Sequence, residues 1–348
     1  MNWTHNILLL LQQNWPGLLK LIVAVSVLLF FVAYIVLLER RLSAFIQDRL
    51  GPNRVGPFGL FQPLADAVKA FLKEDYTPGH TKKLYFTVAP IVAMVPAIMG
   101  LGIIPFGSVL GNEPMVIADL DVGILYSFGI SSLGVYGILL AGYGSNSKYP
   151  LLGALRSGAQ LISYEVVMVL AVIPVFLISG DLNLSKLVAN QANSVSEWMF
   201  IKAPLSFLLF VILMFAETNR LPFDLPEAEN ELVGGYNTEY SSIRFALFFM
   251  AEYAHIILVS AIGATLFLGG WSLPWFGLNK TADSLYLGLA QIGVFILKTF
   301  LFAWVIVWTR WMLPRFRIDQ LMSLAWKKIM PIALLNIFIT ATWIWLVP

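Results

Sequence analysis

Eight long apolar runs decide most of what this chain can become. A helix needs about 20 mostly apolar residues to cross a bilayer. The runs are Leu18–Leu38, Leu84–Phe106, Val122–Tyr143, Leu161–Ser179, Trp198–Phe215, Phe245–Leu268, Ser284–Trp308 and Ile329–Val347. They are continuous, not ten-residue alternations, so helices are expected over a barrel. Only 12% of the chain is charged, against about a quarter in an ordinary soluble domain. The expected fold is an all-α polytopic membrane protein: about eight transmembrane helices in a single membrane domain, residues 1–348.

Lysine and arginine in the connections set the expected orientation. Residues 39–83 carry eight, 144–160 two, 216–244 two and 309–328 five. The opposite side carries only Lys186, Lys202 and Lys280, while Lys20 and Lys298 fall inside runs. That bias puts the four basic connections in the cytoplasm and both termini outside. The opening MNWTHNILLLLQQNW has no basic stretch and no small-residue cleavage site, so it is not read as a signal peptide.

Composition also excludes several functions. A net charge of +2 gives no basic surface for nucleic acid. With no cysteine, the chain holds no disulfide, catalytic thiol or cysteine-ligated iron–sulfur cluster. The three histidines, His5, His80 and His255, are not at ligand spacing, so no protein metal site is expected.

The connection over residues 39–83 is patterned. Gly51-Pro52 and Gly56-Pro57 break any helix there. Beyond them, Leu60, Phe61, Leu64, Val68, Phe71 and Leu72 share one helical face, and Gln62, Asp66, Lys69, Lys73 and Glu74 the other. Too short and charged to span, this segment reads as a helix in the membrane interface, or one packed on the protein's own loops.

The carboxylates crowd towards the cytoplasmic half. The acidic connection 216–244 holds Glu217, Asp224, Glu227, Glu229, Glu231 and Glu239. Glu39 closes the first run, Glu165 lies about one turn into the fourth, and Glu252 lies roughly 12 Å along the sixth at 1.5 Å per residue. An ionisable group at membrane depth is costly and marks function by default. Several within reach of one another can pass protons. Glu252 and His255 share a face, and Lys298 is a candidate partner for Glu252. Plainer readings exist. Asp224-Leu-Pro-Glu227 looks like a helix start with Asp224 as its cap. Glu39 beside Arg40 and Arg41 is a candidate surface ion pair. The tryptophans near run ends suit interface anchoring.

Four stretches together carry a resemblance. They are ERRLSAFIQDRLGPNRVGPFGLFQPLADAVKAFLKED (Glu39–Asp75), NSKYPLLGALRSGAQLISYEV (Asn146–Val166), ETNRLPFDLPEAENELVGGYNTEYSS (Glu217–Ser242) and FFMAEYAHI (Phe248–Ile256). The chain resembles the H-subunit family of bacterial NADH-quinone oxidoreductase, respiratory complex I, equivalent to mitochondrial NADH dehydrogenase subunit 1. The resemblance implies a membrane subunit joining the electron-carrying and proton-pumping arms. It implies the membrane end of a quinone chamber, with quinone entering between the first span, the sixth span and the interfacial helix. Quinone is then the substrate, and this chain needs no metal, flavin or cluster of its own. The implied partners are the iron–sulfur subunits of the quinone-reducing arm, the membrane subunits of the pumping arm, and lipid of the bacterial inner membrane.

Residue by residue, the resemblance implies proton coupling at Glu39, Asp66, Glu165, Glu217, Glu227, Glu229 and Glu252. It places Arg40, Arg41 and Arg220 near the chamber. Some relatives carry a further glutamate in the third span. Here that span has none after Asp121, so a water, Ser131, Ser132 or Tyr136 must serve. A homologous membrane subunit of a hydrogenase or another quinone oxidoreductase shares the same frame. An independent proton-coupled transporter would also use intramembrane acids, but the halves show no internal repeat. A bare scaffold leaves Glu165 and Glu252 unexplained.

Overall fold

The chain was analysed as a computed structural model, which describes residues 3–110, 113–226, 229–275, 277–282 and 284–346. For residues 3–14, 16, 229 and 230 it describes the backbone alone. The helices are α1 (Trp3–Ile46), α2 (Gln62–Leu72), α3 (Lys83–Leu101), α4 (Gly123–Ser145), α5 (Lys148–Ser179), α6 (Leu184–Gln191) and α7 (Met199–Lys202). They continue with α8 (Pro204–Glu217), α9 (Glu229–Leu232), α10 (Ser242–Phe267), α11 (Leu285–Thr309), α12 (Ile318–Ser323) and α13 (Met330–Leu346). A π-helical turn, Leu324–Ile329, fuses α12 to α13. The strands described are a two-residue pair, β1 (Val109–Leu110) antiparallel to β2 (Glu113–Pro114).

Among the described residues, seven helical segments are long and apolar enough to cross a membrane. The fifth expected run differs. Trp198–Phe215 is broken at Ala203-Pro204 into α7 and the 14-residue α8. At 1.5 Å per residue α8 covers about 21 Å, short of a bilayer core of about 30 Å. Pro204 supplies the break: it has no N–H to continue α7, but suits the first turn of α8. The fourth run also differs. α5 begins at Lys148, so Glu165 lies 17 residues into the helix, not one turn.

α10 is the most buried of the long helices. It packs against α3, α11 and α1. α3 and α4 form the tightest pair, because Gly137 lets the backbones touch: a Cβ there would lie 2.6 Å from the Ala93 nitrogen. α13 packs on α5 and reaches α8, where Asn336 Nδ2 donates to Ser206 Oγ at 2.8 Å.

The loops sort into two ends, as the basic bias requires. At one end Lys82 N donates to Gly144 O, Phe316 N to Pro222 O, and Asn146 Nδ2 to His80 O. These bonds join the basic connections in two pairs, and Arg156, 2.7 Å from Glu231, links one pair to the other. At the other end Gln291 Oε1 accepts from the Ser108 amide at 3.0 Å and its hydroxyl at 2.7 Å, and Asn183 Nδ2 donates to Asp119.

Lys298 belongs to that second end. It is buried, and its Nζ donates to Leu268 O and Ser272 O, each at 2.6 Å, above the Trp198 ring at 4.4 Å. The carbonyls at a helix C-terminus carry partial negative charge, which holds the ammonium there. The expected pairing with Glu252 is therefore overturned.

Candidate functional site

Glu39 anchors the first part of the site. α1 continues past it to Ile46, which carries Glu39 into the interior at 6% exposure. The Arg220 guanidinium reaches its two oxygens at 3.2 and 3.3 Å, Arg310 bonds the same carboxylate, and the Tyr253 hydroxyl donates to Oε2 at 2.6 Å. Arg220 lies over the Tyr253 ring, 4.4 Å from its centre. Burial works against the Arg220 cation, but Tyr253, Glu39 and Glu252 together outweigh it and raise its pKa. The surface pair of Glu39 with Arg40 and Arg41 does not form. Arg40 bonds Asp66 at 2.5 Å, and Arg41 bonds the Phe58 carbonyl.

The second part lies beside it, between α3, α4, α5, α8 and α10. Glu217, at the end of α8, is buried, with Oε1 3.3 Å from His255 Nε2 and Oε2 without a partner among the described residues. Glu252 is half-buried and accepts from the Tyr236 hydroxyl at 2.8 Å. Glu165 is half-buried, near the Ser131 side chain and within electrostatic reach of Glu217. Ser131 thus meets the acids from the third span. Ser132 instead donates to Gly129 O, and Tyr136 is 59% exposed.

Small cavities run through this part. One of about 60 Å³ is lined by Ser131, Glu217, Asn219, Tyr236, Glu252 and His255, with apolar residues of α3 and α4. At about 10–15 Å³ for each water, it has room for several. A second, of about 10 Å³, is lined by Asn219, Arg220, Asp224, Glu252 and Arg310. Asn219 and Glu252 border both, so the cavities meet at the side chains that join the two parts of the site.

The other expected residues fall around this centre. Asp66 sits at the rim on α2, accepting from Arg40 and Gln62. α2 itself is held between α1 and α10: the Ser242 hydroxyl contacts the carbonyls of Ala70 and Lys73 at 2.9 and 2.7 Å. Its apolar face is open, with Leu64 65% and Phe71 73% exposed. Glu227 lies outside the described residues, and Glu229 opens α9. Turn residues Leu225 and Pro226 follow Asp224, and the rest of the expected helix start, at Glu227, lies outside the described residues. Asp224 accepts from Arg315 at 2.6 Å. Among the described residues, no three His, Asp or Glu side chains group as a metal site.

Arg310, Tyr253, Tyr236 and Asn219 were not expected from sequence. Arg310 and Glu39 stand 271 residues apart, and no local pattern links them. Tyr253 and Tyr236 adjoin or flank motif residues, which was the one available signal.

Most residues of both clusters come from the four stretches that carry the resemblance. The NADH dehydrogenase family profile covers residues 19–341. The chain belongs to the H-subunit family of NADH-quinone oxidoreductase. It is 48% identical to the NADH-quinone oxidoreductase H subunit numbered 1 in Geobacter metallireducens, over 94% of this chain and 95% of that one. It is 49% identical to the H subunit numbered 2 in Geobacter sulfurreducens, over 92% and 94%. Subunit 8 of the Rhodothermus marinus enzyme is 45% identical over 95% and 97%. The family and the seven long apolar helices make this a multi-pass membrane subunit.

Proposed function

We propose that this subunit forms the membrane end of a quinone-binding chamber and couples quinone reduction to proton translocation in a bacterial inner membrane. The observation carrying the reading is the continuity of the acids. Glu39 is bonded to Arg220, Arg220 borders a cavity with Glu252, and Glu252 borders the next with Glu217 and His255. Reducing a quinone takes two electrons and two protons. The electrons come from an iron–sulfur subunit outside this chain. A negative charge arriving near Arg220 competes with Glu39 for the cation and shifts proton affinity along the cavities.

Asp66 and Arg40 stand where α1, α2 and α10 meet, and Arg41 fixes the Phe58 turn beside them. That junction suits a portal, since the open apolar face of α2 can lie in the interface. Glu227 and Glu229 belong by sequence to the same acidic connection, 216–244, and share the proposed role. The assembly this requires includes iron–sulfur subunits on the cytoplasmic face and pumping subunits in the membrane.

The test is Glu165→Gln and Glu252→Gln in the intact complex. NADH-driven quinone reduction and proton uptake into inverted membrane vesicles are both expected to fall, with the complex still assembled. Normal rates of both in both variants would overturn the proposal.

A further inference from the structure

A cavity of about 400 Å³ lies away from the carboxylates, between α1, α10 and α11, and is open on one side. Val27 and Phe31 of α1 form one wall, Phe295 and Phe300 of α11 the other, with Ile257 and Ala261 of α10 as the floor. Among the described lining residues, only Lys20 and Thr299 have polar side chains. The hollow exists because α1 packs on α10 but barely touches α11. Close-packed interiors do not leave voids of this size empty.

Its outer mouth is marked by charge. Lys20 Nζ lies 2.8 Å from Glu113 Oε2 and 3.0 Å from Pro114 O, and Glu113 is mostly exposed. One cation and one anion therefore stand side by side at the end of an apolar slot. We infer that the groove holds an acyl chain of a zwitterionic phospholipid whose headgroup carries a primary ammonium. Its phosphate faces Lys20 and its ammonium faces Glu113, so each member of the protein pair gains an opposite charge. An anionic headgroup would set its charge against the Glu113 carboxylate. A quaternary ammonium has no N–H to donate.

The experiment uses the intact complex in native membranes. Phosphatidylethanolamine with a diazirine on its acyl chain is incorporated and photolysed, and the adducts are mapped. Adducts on Val23–Phe31 or Phe295–Ala303 are expected, with at least a fivefold loss in Val27→Trp, whose indole fills the slot. Lys20→Gln, which leaves the walls intact, is expected to abolish the preference for this probe over its phosphatidylglycerol analogue. Equal labelling by both probes in the wild type would overturn the headgroup assignment. Labelling by a photoreactive quinone in place of the phospholipid, or cross-links from a photoreactive residue at Val27 to another subunit, would overturn the occupant.

Discussion

The two halves of the carboxylate site differ in what holds their charge. Glu39 is saturated: two guanidiniums and a phenol bond one carboxylate. Glu217 and Glu252 have an imidazole and a phenol as direct partners, and Glu165 lies near the Ser131 side chain, with cavities beside them. A carboxylate paired with two arginines has little reason to bind a proton, because its charge is already compensated. One held without an arginine bond, beside water space, can take up and release a proton without breaking such a pair. Under the proposed function, the first half fixes geometry and senses charge, and the second half moves protons.

Removing an arginine from the first half is the largest perturbation. Breaking a buried pair from one side costs about 3–5 kcal/mol, since the remaining charge is stranded. Arg220→Ala is expected to reduce assembled complex sharply, measured by native electrophoresis of mild-detergent extracts. Assembly at wild-type levels would mean that Arg310 alone holds Glu39, and the contrast between the halves would weaken. In the second half, Glu252→Gln keeps the shape and removes the exchangeable acid. Assembly is expected to be normal, with turnover down on the order of a hundredfold, the scale of a lost proton-transfer group.

Smaller changes sharpen the contrast. Tyr236→Phe deletes one hydrogen bond to Glu252, a loss of about 1 kcal/mol. It is expected to shift the pH profile of quinone reduction while leaving thermal stability of the complex within a few degrees. An unchanged profile would separate Glu252 from the titrating group. At the rim, Arg40→Ala breaks a partly exposed pair worth about 0–1 kcal/mol. Its effect on stability is expected to be barely measurable. A large loss of assembly there would mean that Asp66 and Arg40 belong with the saturated half.

Much of this was legible in the sequence. Run length and continuity set the class of fold, because hydrocarbon leaves the backbone no alternative to internal hydrogen bonding. Basic residues sorted the connections, since charge stays where water is. The acids inside runs marked the site, because burying them needs a reason. Pairings were not legible. Lys298 and Glu252 both sit within apolar runs, and nothing in their spacing says that one faces the end of α10 and the other Tyr236. Arg310 finds Glu39 across 271 residues only because α1, α10 and α11 bring their ends together. The sequence determined seven of the eight expected long apolar helices and which connections share an end, and it named the candidate acids, through local periodicity and transfer energy. Only the tertiary structure decided which charge neutralises which, because ion pairs and cavities form between helices whose rotation and depth no single run encodes.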